Sequence, residues 1–171
     1  MSEIFAIQTP AKKLNANTVR FGGQYPYVAR GSSNNGVRGY INEDTQYLNP
    51  KRTFSFGQDT ATVYFQTEPY FTGDKIKILE LRACTPSDEI AEYLICAVKK
   101  AFSGFSWGQT SFNENVLNNT KICLPVTLSG EPDWDYMEKY IRAIEKVVIA
   151  DVVKWKNKGI EATKQIVNNA V

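Results

Sequence analysis

Histidine is missing altogether from the 171 residues. Its absence removes the Ser-His and Cys-His nucleophile arrangements and any histidine-containing zinc site. Cysteine is scarce: Cys84, Cys96 and Cys123 are odd in number and widely spaced. That pattern suits neither a disulfide frame nor a thiolate metal site, and their apolar neighbours predict small buried hydrophobes in a reducing compartment. No charge of one sign dominates. A net charge of +2 and a pI near 8.3 permit a nucleic-acid partner without arguing for one, because specific binders need a basic patch rather than a basic average. No apolar run approaches the roughly 20 residues of a membrane span, and the opening MSEIFAIQTPAKK lacks the apolar stretch of a signal peptide. The expected location is the cytoplasm.

Catalytic motifs are equally sparse. There is no Gly-x-x-x-x-Gly-Lys-Ser/Thr phosphate loop. The glycines Gly22-Gly23 and Gly36/Gly39 do not fit the dinucleotide fingerprint and read as turns and strand bulges. The Asn/Asp-Pro-Pro-aromatic tetrapeptide of amino-methyltransferases is absent. Carboxylates cluster at Glu43-Asp44, Asp88-Glu89 and Asp133/Asp135. A nuclease needs two or three such acids converging on a metal ion, ordinarily with a lysine nearby. The second and third pairs are better explained as helix N-terminal charges, and the first lies in a turn. We therefore expect no catalytic residue, no metal and no cofactor on this chain.

What is present is one domain's worth of apolar residues, 43% of the chain, with 12% aromatic. That is enough for a single compact body with an appended helix. Up to about residue 82, β-branched and aromatic runs alternate with Gly, Asn and Pro punctuation. They predict strands at Ile4–Ile7, Tyr25–Ala29, Val37–Ile41, Thr53–Phe56, Ala61–Thr67 and Lys75–Arg82. In the last of these Ile76, Ile78 and Glu80 alternate against charged neighbours. A helix is expected from Thr85-Pro86-Ser87-Asp88, with threonine as the cap and proline in the first position. Its apolar stripe is Ile90, Leu94, Ala97, Val98 and Ala101. A loop from Ser103 to Asn119 and a short strand Lys121–Leu124 follow.

After Gly130-Glu131-Pro132-Asp133 an uninterrupted helical pattern runs from Trp134 to about Lys158, before Gly159. At 1.5 Å per residue such a helix is roughly 37 Å long. Trp134, Met137, Ile141, Ile144, Val148 and Trp155 are spaced three and four apart, as in a coiled-coil seam, with Asp151 breaking the strict heptad. Tyr140, Val147, Ile149, Val152 and Val153 widen the apolar surface beyond one stripe. A helix this apolar needs two surfaces to cover it. They come either from its own domain alone or in part from a helix of another subunit.

Charge is distributed unevenly. Between Lys12 and Arg52 stand seven basic residues (Lys12, Lys13, Arg20, Arg30, Arg38, Lys51, Arg52) against Glu43 and Asp44. Within that region, Val28 to Tyr40 (VARGSSNNGVRGY) sets two arginines, two asparagines, two serines and three glycines between strand-like flanks. Arginine bonds guanine bidentately at its major-groove edge, and asparagine or glutamine does the same with adenine. Serine hydroxyls and glycine amides suit close approach to phosphates. Each polar segment alone is an ordinary hairpin loop. Together with Lys51-Arg52-Thr53, Gly57-Gln58-Asp59-Thr60 and Ser106-Trp107-Gly108-Gln109-Thr110-Ser111, they outline a surface that reads DNA. Arg30, Asn34, Asn35 and Arg38 are the first candidates for contact, with Ser32, Lys51, Arg52, Gln58, Trp107 and Gln109 next.

Two motifs carry a resemblance to a known family. Tyr27-Val28-Ala29-Arg30, followed by Asn34-Asn35-Gly36-Val37 and Gly39-Tyr40-Ile41, is similar to a "Y-V-(T/A)-R … N-N-G-V-x-G-Y/F" stretch. Ile122-Cys123-Leu124-Pro125-Val126, followed by Gly130-Glu131-Pro132-Asp133-Trp134-Asp135-Tyr136-Met137-Glu138, is similar to an "I-x-L-P … G-E-x-D-(W/F)-x-(Y/F)-M-E" junction. The chain thus resembles, over nearly its whole length, the target-recognition domains of restriction–modification specificity subunits of type I and type IIB systems. The second motif is the more specific.

The resemblance implies a mixed α/β (α+β) fold: a β-rich recognition domain over residues 1–130, then a long helix over 131–171 that forms an antiparallel coiled coil. It implies a non-catalytic subunit that reads one half-site of a split double-stranded DNA target. The helix would space two half-sites, self-associate through Trp134, Met137, Ile141, Ile144 and Val148, and dock a DNA methyltransferase and a restriction subunit. S-adenosylmethionine is expected on the methyltransferase. A full specificity subunit has two recognition domains and two helices, whereas this chain has room for one of each. A half-subunit that pairs with itself and a recognition segment of a longer subunit or fused restriction–methylation enzyme both stay open. So does a protein-interaction module whose asparagine-rich loops bind a non-nucleic partner.

Overall fold

A computed structural model describes residues 1–104 and 112–169. The chain divides into two compact units, Met1–Leu124 and Pro125–Val171.

The first unit holds two sheets. β1 (Phe5–Gln8), β7 (Ile76–Leu81), β4 (Thr53–Gly57) and β5 (Val63–Gln66) lie side by side in that order, all antiparallel. β4 is central, with Phe54 opposite both Leu79 and Phe65, and every one of its residues is buried. Its two polar side chains are satisfied: Ser55 Oγ accepts from Gln66 Nε2 at 3.0 Å, and Thr53 Oγ1 lies 3.1 Å from the Tyr70 hydroxyl. Aromatic rings fill the space around it. Phe54 meets Phe5 and Phe65 with ring centroids 5.5 and 5.1 Å apart, and Phe56 meets Phe102 at 5.1 Å. Offset and edge contacts of this kind add to the area they bury.

The second sheet is smaller. β2 (Phe21–Val28) pairs with β3 (Val37–Ile41) antiparallel and with the two-residue β6 (Phe71–Thr72) parallel. Phe21 and Tyr25 both face Ile41, so the three residues between them form a bulge. Glycine is required there: a Cβ on Gly23 would stand 2.0 Å from the carbonyl carbon of Ile41. The expected glycine bulge is thus present. Beneath this sheet Leu14, Tyr27, Ile41 and Phe71 form a small buried cluster.

The six expected strands all occur, within a few residues of their forecast ends. β6 was not expected, being two residues long between Tyr70 and Gly73. The alternation forecast for β7 gives way to burial on both faces, because the Lys77 ammonium is carried inside and bonded to Glu114 at 2.9 Å. α1 (Asp88–Phe102) is capped by Ser87, whose hydroxyl accepts from Ile90 N at 3.2 Å, rather than by Thr85. Pro86 therefore precedes the cap and leaves its carbonyl to other partners. Ile90, Leu94 and Val98 of the forecast stripe are buried as expected, while Ala97 and Ala101 are half-buried. The expected loop 103–119 contains a helix, α2 (Glu114–Asn119), started by Asn113 Oδ1 accepting from Val116 N. Lys121–Leu124 is not a strand. All three cysteines are exposed thiols rather than buried hydrophobes. Cys96 lies on the polar side of α1, and Cys84 and Cys123 sit in connections.

The second unit begins with a tight turn. Val126 bridges Pro132, Thr127 N donates to Glu131 O at 2.8 Å, and Gly130 takes a φ of +86° that an L side chain resists. Asp133 Oδ1 accepts from Tyr136 N at 2.9 Å and starts α3 (Trp134–Asn169). α3 passes straight through Gly159, where the sequence suggested a stop. One interior glycine costs only about 1 kcal/mol, too little to end a helix whose pattern continues beyond it, where Glu161 and Lys164 pair at 3.3 Å. Met137 and Ile141 are buried, but Ile144, Val147, Val148, Ile149, Val152, Val153 and Trp155 are exposed. No helix among the described residues is long and apolar enough to cross a membrane.

Candidate nucleic-acid interface

The loops at one end of the first unit enclose a cleft of about 1000 Å³. Four connections line it: the 13–17 segment before β2, the β2–β3 connection, the β4–β5 turn at Asp59-Thr60, and the β6–β7 turn at Gly73-Asp74. Each is anchored by the sheet behind it.

The 13–17 segment is held from both sides. Leu14 N donates to Thr72 O at 2.9 Å, and the buried Tyr27 hydroxyl donates to Leu14 O at 2.8 Å. Burial pushes the Tyr27 phenol up from its ordinary range, against the opposing pull of Arg38 and Arg30, so it remains a donor. Asn15 Oδ1 accepts from Asn17 N at 2.9 Å. This local turn exposes Lys13, Asn15 and Asn17 toward the cleft.

The β2–β3 connection contains a turn over Asn34–Gly36, in which Asn34 and Asn35 both adopt left-handed backbone, with φ of 50° and 53°. Asparagine tolerates that conformation better than most residues. Their amides are already engaged: Asn34 Nδ2 donates to Val37 O at 3.0 Å, and Asn35 Nδ2 to Phe65 O at 2.8 Å. Gln66 Nε2 in turn donates to Asn35 O at 3.0 Å. The pair thus shapes the connection and fastens it to β5. Arg30 leaves the end of β2 and is ion-paired with Asp59. Arg38 is the second residue of β3 and exposed, and its side chain makes no ion pair or hydrogen bond among the described residues.

The structure therefore brings Arg30, Asn34, Asn35 and Arg38 together on one connection, with Ser32 exposed at its turn. Arg30 and Arg38 line the cleft. Other candidates lie elsewhere. Arg52 bonds Pro86 O through Nε at 3.1 Å and Asp88 at 2.9 Å, and its guanidinium lies over the Phe65 ring at 5.2 Å. It clamps the start of β4 to the N-terminus of α1. Lys51 beside it is exposed. Gln58 donates to Phe112 O at 3.0 Å, tying the β4–β5 turn down. Trp107 and Gln109 lie outside the described residues. Sequence reasoning missed Lys13, Asn15 and Asn17, which line the cleft. The run Lys12-Lys13-Leu-Asn-Ala-Asn carried a signal, two bases followed by turn-forming amides, but only the fold shows that it shares a cleft with Arg38.

Chemically the cleft offers fixed N–H donors, amides and three cations, Lys13, Arg30 and Arg38, against the acids Asp59 and Asp74. No group of three or more Cys, Asp or Glu among the described residues is placed to hold a metal ion.

A sequence model of the type I restriction modification DNA specificity domain matches residues 1–154. The type II restriction enzyme BgcI specificity subunit S.BcgI of Heyndrickxia coagulans is 30% identical over 125 residues, which cover 70% of this chain and 35% of that protein. The chain thus spans about a third of the length of that curated relative. Among solved structures, the fold is similar to the HsdS subunit from Thermoanaerobacter tengcongensis, with a TM-score of 0.56 at 14% identity, covering 87% of this chain and 37% of the other. The type I restriction-modification S subunit from M. genitalium gives a TM-score of 0.47 at 20% identity, covering 92% and 40%.

Proposed function

The chain belongs to the family of type I restriction modification DNA specificity domains, and we propose from that footing that its first unit reads one half-site of a bipartite double-stranded DNA target. It performs no chemistry itself. The observation that carries the reading is the placement of Lys13, Arg30 and Arg38 on the walls of one cleft, two of them without a partner among the described residues. Unpaired cations beside rigid loops suit both tasks of a specific binder: neutralising phosphates and meeting base edges. Arg38 is the foremost candidate for a base contact, Arg30 and Ser32 next, and Lys13 and Lys51 suit phosphates. The amides of Asn34 and Asn35 shape the loop.

The functional division is 1–130 for recognition and 131–171 for the helix. The second unit acts as spacer, with α3 pairing antiparallel against the α3 of a second copy to hold two readers at a fixed separation. The exposed apolar residues from Ile144 to Trp155 support this. Met137 and Ile141 are buried within the single chain, so the seam is weighted toward Ile144 and Val148. A two-fold pair of readers matches an interrupted palindrome. The same helices would dock the DNA methyltransferase, which holds S-adenosylmethionine, and through it a restriction subunit. A DNA target of this kind places the assembly in the cytoplasm. The share of the relative's length that the chain covers favours a second arrangement, in which one polypeptide carries two such units.

The test is enrichment from a random duplex pool by the chain together with its methyltransferase. A defined half-site should emerge. Arg38→Ala should then cost roughly 1–3 kcal/mol and relax the preference at one position if the side chain reads a base. An even loss across sequences marks a phosphate contact instead. Failure to enrich any sequence would end the DNA reading.

A further inference from the structure

Asp59 stands in the wall of the cleft, and both of its oxygens are already engaged within the chain. A carboxylate facing a phosphate backbone repels it, so its presence among the cations needs a reason. Its oxygens take two cations from two different connections. Arg30 Nη1, from the β2–β3 connection, bonds Oδ2. Lys75 Nζ, from the turn before β7, lies 3.3 Å from Oδ1 and 3.0 Å from Oδ2. The turn that presents Asp59 is rigid: Gly57 N donates to Thr62 O at 2.9 Å, Ala61 N to Gly57 O at 2.8 Å, and Gln58 N to Lys75 O at 2.9 Å. A Cβ on Gly57 would come within 2.5 Å of the Thr60 hydroxyl and 2.6 Å of the Thr62 hydroxyl, so glycine is what lets the two threonines pack against the turn. The Lys75 ammonium first, and Arg30 after it, hold the Asp59 carboxyl below the usual carboxylate range. The charge is therefore present at neutral pH.

We propose that Asp59 is a positioning residue that sets specificity. It holds Arg30 in one orientation and offsets part of the charge of Arg30 and Lys75, so that the cleft discriminates sequence instead of gripping any phosphate backbone. This inference rests on the DNA-recognition reading. A guanidinium presents five N–H donors in a rigid fork. Tying one of them to a fixed carboxylate orients the plane and leaves the others free, which bidentate contact with a base edge needs. Released, Arg30 and Lys75 become two mobile cations on flexible stems. Such groups contribute to binding through counterion release, which carries no sequence information.

The test is Asp59→Asn in the full chain, which keeps shape and removes charge. Affinity for an unselected random-sequence duplex is measured by fluorescence anisotropy across salt, and enrichment is run from the same pool. The variant should bind the unselected duplex more tightly than the parent at low salt. Its plot of log affinity against log salt should steepen by about 0.9 for each phosphate newly engaged. For one phosphate that is about three- to fourfold more affinity lost between 50 and 200 mM salt. Enrichment should flatten, and adding Arg30→Ala and Lys75→Ala should abolish the extra slope. A variant with the parent's slope and enrichment, or one that binds the unselected duplex more weakly, overturns the proposal while leaving DNA recognition intact. A parent chain that shows neither salt-dependent binding nor enrichment removes both. If Asp59→Asn does not melt cooperatively, Lys75→Met decides. It keeps the Asp59–Arg30 pair and should retain the parent's enrichment, so loss of sequence preference there also overturns the proposal.

Discussion

Tyr27→Phe removes one oxygen, and the structure indicates what that oxygen does. The Tyr27 ring is 1% exposed and its hydroxyl donates to Leu14 O at 2.8 Å, in a cluster with Leu14, Ile41 and Phe71. Phenylalanine keeps the ring and its edge contact with Phe21, whose centroid is 6.1 Å away. The substitution therefore opens almost no cavity. What it leaves is a buried carbonyl without its donor, at a cost of about 2 kcal/mol once the net hydrogen bond and the stranded acceptor are both counted. For a chain of this size that corresponds to a fall in Tm of roughly 4–8 °C. Urea unfolding should move to a lower midpoint with an unchanged slope, since the surface exposed on unfolding is the same. The loss should also reach the interface. Leu14 is pinned by the Tyr27 hydroxyl on one side and by Thr72 O on the other. Releasing the first tether loosens Lys13, Asn15 and Asn17, and duplex affinity should fall at temperatures where the variant remains folded. A Tyr27→Phe variant within about 0.5 kcal/mol of the parent would show that the 13–17 segment is held by something other than this bond.

Further outcomes follow from other contacts. Arg52→Ala should reduce stability by about 1–3 kcal/mol, through loss of the bonds to Pro86 and Asp88, without changing duplex affinity of the folded protein. Lost affinity with unchanged melting would place Arg52 in the interface instead. Burial raises both the Tyr27 and the Tyr70 phenols above the ordinary value near 10. The folded chain therefore holds protons that the unfolded chain releases. Stability is complete below about pH 10 and falls as pH rises from there. Ultraviolet titration should show the Tyr27 and Tyr70 phenols resisting ionisation until the protein unfolds. On α3, Ile144→Asp with Val148→Asp should abolish self-association in sedimentation without altering the melting of the first unit. A parent chain that sediments as a monomer at tens of micromolar, without methyltransferase, would remove pairing between copies.

The strands were legible because their signal is local. Runs such as Ala61–Thr67 and Lys75–Arg82 are short, β-branched and bounded by turn residues, and each became a strand. What the local pattern could not supply was partnership. β6 is two residues long and exists because Tyr27 and Val28 pair with Phe71 and Thr72 across the small sheet. Lys77 reads as a solvent-facing residue until α2 arrives to take its charge. The three cysteines misled for the opposite reason: apolar neighbours in sequence do not share their face, and Cys96 points away from the stripe of Ile90, Leu94 and Val98.

The interface was half legible, and the line between the halves is physical. Side-chain chemistry marks which residues are able to read DNA, but not which are already spent. Asn34, Asn35, Arg52 and Gln58 have the donors of base-reading residues, and in the fold those donors meet Val37, Phe65, Pro86 and Phe112 carbonyls. An amide that closes a backbone bond, as Asn35 does at 2.8 Å, must break it to meet adenine, which subtracts the first bond from any gain in the second. Arg38 and Lys13 face no such exchange. The unspent cations, rather than the most suggestive motif, should therefore dominate the salt dependence of binding, while the asparagines fix where those cations stand. Substituting Asn35 ought to change affinity through the position of Arg38, and so to show non-additivity with Arg38→Ala in a double-mutant cycle.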